Sequence, residues 1–135
     1  MNKILFAYKR FPENVRLILT AIVGALIGYI TYEIIYYFNP FSPKASSSWF
    51  LAFIIGVARQ HALHRWLTFS HKTSYWKSLF RAYIMYSGSL FISSGLNWFL
   101  TEIVSLNHRL AWGCCLITTA LISLIFLKKY VFKLR

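Results

Sequence analysis

The stretch LILTAIVGALIGYITY, Leu17 to Tyr32, carries no charged side chain, and after Glu33 it resumes as Ile34, Ile35, Tyr36, Tyr37 and Phe38. At about 1.5 Å per residue, a helix over 17–38 covers roughly 30 Å, the depth of a bilayer's hydrocarbon core. Asn39-Pro40-Phe41-Ser42-Pro43 ends it, because proline has no backbone donor and restricts the residue before it. An apolar helix of this length needs lipid or a large protein core around it. A chain of 135 residues has too much surface for its volume to supply such a core.

The rest of the chain repeats the pattern. A second run starts near Ser48 and Trp49 and is apolar to Ala58. It continues as Arg59-Gln60-His61-Ala62-Leu63-His64-Arg65-Trp66-Leu67-Thr68-Phe69. The apolar part alone is too short to span, so a helix over 48–69 carries its basic part into the membrane or its interface. Ser70 to Lys77 reads as a polar connection. A third run, 82–103, is rich in small residues such as Ser87, Gly88, Ser89, Ser93, Ser94 and Gly95. A fourth, 110–127, lies between Arg109 and Lys128. The tight link around 104–109 predicts an antiparallel hairpin of the last two helices. The expected architecture is an all-α membrane protein with four transmembrane helices in a single domain over 1–135.

Composition agrees. Hydrophobic residues make up 58% of the chain and charged residues 13%, against roughly 45–50% and about 25% in soluble domains. Fifteen Lys and Arg face only Glu13, Glu33 and Glu102, for a net charge of +12. The cations stand beside apolar runs, which points to anionic membrane lipids as partners and away from nucleic acid. Cys114 and Cys115 are adjacent in an apolar run and read as small packing residues. No cleavable signal peptide is expected, since Ile4 to Tyr8 is too short and the next run too long.

Orientation follows from cation asymmetry. One side collects Lys3, Lys9, Arg10, Arg16, Arg59, Arg65, Lys72, Lys77, Arg81, Lys128, Lys129, Lys133 and Arg135; the other collects Lys44 and Arg109. The basic side is expected in the cytoplasm, and with it both termini. Gly24 and Gly28, Ala52 and Gly56, and Ser89 and Ser93 offer small faces for helix packing.

The halves also resemble each other. Arg16 precedes the first helix and Arg81 the third; Glu33 closes the first and Glu102 the third. Basic-aromatic tails close the second and fourth. A two-fold repeat of a helix pair is expected, its units parallel because each pair returns to the side it left.

GALIGY in the first helix, the Arg59–Phe69 segment and the terminal Leu127-Lys128-Lys129-Tyr130-Val131-Phe132-Lys133 together resemble the GtrA-like family. The likeness runs from about Arg16 to Lys133. It implies a four-helix membrane protein of cell-surface polysaccharide synthesis. It also implies a carrier or flippase for a polyprenyl-phosphate-linked sugar in the cytoplasmic membrane. His61 and His64 stand where the family usually has asparagine.

The residues themselves nominate Arg59, Gln60, His61, His64, Arg65 and Arg81 for a lipid phosphate. With entrance of the second helix near Ser48, Arg59 lies roughly 17 Å along it, past the midplane, where an ionisable group is costly. Arginine's forked donors suit phosphate. The alternative is snorkelling to lipid headgroups. Glu33, Glu102, Asn97 and Trp98 are candidates for sugar contacts; their alternative roles are interface markers and partners for Lys44 or Arg109. His61-x-x-His64 has no carboxylate or thiol nearby, so no metal is expected. With no nucleophile–base pattern, phosphate loop or acid dyad, no catalysis and no cofactor are expected either.

Three functions therefore stand side by side. They are a lipid-linked-sugar carrier, a non-transporting scaffold that partners a membrane glycosyltransferase, and a proton-coupled exporter. The last needs an acid deep in the first helix, and Glu33 lies near its far end. Four helices make a thin bundle, so a homo-oligomer is compatible with each.

Overall fold

A computed structural model describes residues 2–68 and 74–131 of the chain, and their secondary structure is helical without a strand. Five helices follow one another: α1 (Asn2–Lys9), α2 (Glu13–Phe38), α3 (Lys44–Leu63), α4 (Tyr75–Trp98) and α5 (His108–Val131). α3 runs on into a π turn, His64–Thr68, and α4 into another, Phe99–Ile103. α3 packs between α2 and α4, and α5 packs on α4.

Several boundaries differ from the sequence expectation. α3 begins at Lys44, one turn earlier than Ser48, which puts Arg59 about 22 Å along it. α4 begins at Tyr75, inside the segment read as a polar connection. Arg81 is therefore part of the helix and does not precede it. The remainder of that connection, 69–73, lies outside the described residues, as does 132–135. α1 was not anticipated, because its apolar run is short. It is held from α2, where the Tyr8 hydroxyl donates to the Arg16 carbonyl at 2.7 Å and lies 2.6 Å from Thr20 Oγ1.

Among the described helices, α2 is the one long and apolar enough to cross a membrane by itself. α3 and α4 carry their polar residues inward. Ser48, Ser93 and Asn97 are fully buried, and Ser89 and Ser93 form a small buried face one turn apart. The Trp49 indole donates to Ser93 Oγ at 3.0 Å across the α3–α4 contact. Such bonds join helices where lipid supplies no hydrophobic drive.

Two ends of the bundle can be told apart. At the linker end, Asn39 ties α2 to α3: its Nδ2 donates to Ser47 and Ser48 Oγ, both at 2.8 Å, and its Oδ1 accepts the Phe41 N–H at 2.9 Å. Pro40 stops α2, and Asn39 secures the turn that follows. The α4–α5 link at this end passes through Ser105 at φ 57°, and Asn107 Oδ1 accepts the Arg109 N–H at the start of α5. At the opposite, basic end lie α1, the start of α2, the end of α3 and the start of α4.

Candidate functional site

α2, α3, α4 and α5 enclose an open cavity of about 630 Å³. Ala21, Gly24, Ala25 and Gly28 form its α2 wall, and Met85, Tyr86, Leu116 and Ala120 line it from α4 and α5. Every residue nominated for phosphate lines this one space: Arg59, Gln60, His61, His64, Arg65 and Arg81. The cavity is apolar along most of its length and polar where α3 nears the basic end.

Arg59 decides the character of that polar part. Its Nη2 donates to the Gly24 carbonyl at 3.1 Å, and Nη1 lies 3.5 Å from Thr31 Oγ1. Gly24 to Thr31 is the middle of α2, so the guanidinium turns across the bundle and not toward the basic end. Snorkelling would take it the other way. Its Nε is buried and has no hydrogen-bond partner among the described residues. Among them the one carboxylate in an ion pair is Glu33, and its partner is Arg109.

The glycines make this posture possible. A Cβ on Gly28 would lie 3.1 Å from Arg59 Nη2, and one on Gly24 would run into the Gln60 amide. Sequence reasoning took Gly24 and Gly28 for a backbone packing face. In the structure they form a trough for the side chains of Arg59 and Gln60. The signal was legible in part, since in an antiparallel pair the small residues of α2 lie at the depth of the polar residues of α3.

The neighbours of Arg59 form a second layer. Gln60 Nε2 and His64 Nε2 are 2.8 Å apart, one helical turn from each other. His61 Nε2 lies 2.9 Å from Ser78 Oγ, and Arg65 Nη1 donates to the same oxygen at 3.4 Å. Tyr75 packs its ring edge against His61, 5.1 Å between centroids, and Arg65 lies 5.6 Å over its face. Ser78 and Tyr75 were missed because their segment read as a loop. Once it is helical, their three-residue spacing places both on one face. Arg81 is exposed at the rim. His61 thus meets Ser78 and Tyr75 of α4, while His64 meets Gln60 of its own helix. Arg16 reaches the π turn from α2, donating to the Leu67 carbonyl at 3.4 Å.

The four residues nominated for sugar contacts do not converge, and none lines the cavity. Glu33 accepts two hydrogen bonds from Arg109, at 3.0 and 3.2 Å. Glu102 is exposed in the α4 π turn. Asn97 is fully buried, whereas Trp98 is 46% exposed, as adjacent helical residues pointing different ways must be. Lys44 lies 4.9 Å over the Tyr36 ring, and Tyr36 stacks on His108 at 3.8 Å between centroids. Together with the Tyr32 hydroxyl, 3.3 Å from His108 Nδ1, these contacts close the linker end between α2 and α5.

A basic polar patch inside an apolar cavity can hold an anionic group while a hydrocarbon remains in apolar surroundings. Comparison with known proteins gives one family match: the model described as GtrA/DPMS, transmembrane domain, covers residues 16–132. No curated protein and no solved structure matches the chain.

Proposed function

The chain belongs to the GtrA/DPMS transmembrane-domain family and is a membrane protein, and from that premise we propose that it carries a polyprenyl-phosphate-linked sugar across the cytoplasmic membrane for cell-surface polysaccharide synthesis. Its four spans lie within α2 to α5, the last over 110–127, with the basic end and both termini in the cytoplasm. The carrier is not an enzyme and needs no cofactor.

One observation supports this reading above the others: Arg59 is turned to the middle of α2, lines the cavity and has no carboxylate partner among the described residues. An arginine at mid-membrane costs about 2.5–3.5 kcal/mol on insertion scales. The Gly24 carbonyl offsets part of that, but it already accepts within its own helix. A lipid phosphate offers full charge and several acceptor oxygens, and the Nε–H of Arg59 is there to donate. Gln60, His61, His64, Arg65 and Arg81 supply further donors between this point and the basic end. The phosphate can pass along them while the tail stays in apolar surroundings. Glu33, Glu102, Asn97 and Trp98 belong to the linker half, where a sugar would emerge, and Glu33 is the acid there whose present partner, Arg109, is itself exposed.

Vesicles reconstituted with the purified chain and loaded with a polyprenyl-phosphate sugar test the proposal. The expected result is faster transfer between leaflets than in protein-free vesicles, reduced by Arg59→Gln. Transfer no faster than in empty vesicles would leave the scaffold role, with a membrane glycosyltransferase as partner.

A further inference from the structure

A second apolar fissure lies against the first cavity. It has a volume of about 360 Å³ and is lined by Ile22, Ala25, Leu26 and Tyr29 of α2 with Trp112 and Leu116 of α5. Ala25, Trp112 and Leu116 line both spaces. The α2–α5 seam is closed by side chains at the linker end, where Tyr29 meets Trp112 at 5.1 Å between centroids and Glu33 binds Arg109. Below that closure, toward the basic end, Ala25 carries the smallest side chain of the shared wall. Ile22 and Leu26, 52% and 63% exposed, flank it on the outer surface.

We propose that this fissure holds the hydrocarbon tail of the same lipid whose phosphate sits at Arg59, and that the α2–α5 seam is its lateral portal. The inference rests on the proposed function. Continuity identifies the occupant: the fissure shares a wall with the space that contains Arg59, which has no carboxylate partner among the described residues. A tail attached to a phosphate there leaves past Ala25, the smallest side chain on the shared wall. The lining residues carry no charge, and their only polar side-chain groups are the Tyr29 hydroxyl and the Trp112 indole N–H, which suits an unsaturated isoprenoid chain. Ala25 is the threshold, and a larger residue there fills the gap between the cavities.

The test is binding of two probes, a long-chain polyprenyl phosphate and a short-chain isoprenyl phosphate too short to reach the fissure. Ala25→Phe is expected to weaken the long probe about tenfold more than it weakens the short probe, the equivalent of about two methylene contacts. Equal weakening of the two probes, or none of either, overturns the portal. Arg59→Gln separates this outcome from failure of the underlying reading. Loss of both probes in that variant keeps the phosphate site whatever Ala25→Phe does, whereas loss of neither removes the phosphate site and the portal with it. Because Ala25→Phe can disturb folding, a photocrosslinking residue at Leu26 provides an independent measure. It is expected to capture the long probe in excess bulk phospholipid, and the same residue at Phe91, exposed on α4 outside both cavities, is not. Equal capture at the two positions overturns the proposal.

Discussion

Arg59 and Gly28 act as one unit. The guanidinium occupies the space that a side chain at position 28 would fill. Gly28→Leu should push Arg59 out of its trough and separate α2 from α3, seen as loss of monodisperse protein in detergent. Gly28→Ala, with 3.1 Å to a flexible group, should be tolerated. Arg59→Gln should still insert, since Arg65 and Lys77 keep that end basic, but should bind polyprenyl phosphate on the order of tenfold to a hundredfold more weakly. That range corresponds to about 1.5–3 kcal/mol for a hydrogen bond to a charged group. Arg65→Gln should do less, because Arg65 lies against Tyr75 and Ser78 nearer the basic end. Equal affinity in both variants and the wild type would take the phosphate away from α3. Glu33→Gln removes one of the partners in an exposed pair and should change stability by less than about 1 kcal/mol in thermal unfolding. A loss of transport with stability intact would assign Glu33 to the substrate.

Helix ends carry the next set of expectations. Where α5 begins, before the fourth apolar run, burial chiefly holds His108 below the ordinary histidine pKa; Arg109 and Lys44 add to this, and Glu33 opposes it. The neutral ring stacks on Tyr36 and can accept from the Tyr32 hydroxyl. A base whose pKa falls on folding contributes its full stability above its unfolded value, roughly 6.5, and loses it as the pH drops below that. Unfolding temperature should therefore fall between about pH 7.5 and about pH 5.5, and His108→Phe should flatten that part of the profile. An unchanged slope in the variant would assign the acid sensitivity elsewhere. At the basic end, Ser78→Ala removes the oxygen shared by His61 and Arg65. It should cost about 1 kcal/mol of stability, a typical hydrogen bond, and loosen the start of α4 in hydrogen exchange. Much of this was out of reach of the sequence. Serine-rich segments read as linkers by composition, and only packing on α3 makes Tyr75–Ser78 the first turn of a helix.

Topology and assembly concern the full bundle. In a background without Cys114 and Cys115, a cysteine at Ser42 should react with an impermeant reagent from outside, and one at Lys77 only after permeabilisation. The opposite pattern would reverse the proposed orientation. Both sites are exposed, whereas Ser46, in the first turn of α3, is buried at 8% and a poor reporter. Under the proposed carrier function, the closure between α2 and α5 at the linker end would hold one side of a transport cycle. Crosslinking Glu33 to Arg109 positions through cysteines should then stop transfer while leaving phosphate binding intact. Continued transfer would mean that the α2–α5 closure does not move.

The order of amino acids by itself determined that the chain is helical and belongs in a membrane. Its apolar runs are too long for a small water-soluble core, and proline and tight links mark where the helices stop. It also showed which end is basic and which residue types could meet a phosphate, since charge and donor geometry are properties of single side chains. Tertiary structure decided which of those residues act together. Arg59, Gln60, His61, His64 and Arg65 line one cavity because α3 lies between α2 and α4, and Gly24 and Gly28 give Arg59 room to turn toward the middle of α2. Asn97 and Trp98, neighbours in the chain, were separated by helical geometry into core and surface. Burial and partnership depend on what the next helix presents at the same depth, and no local pattern contains that.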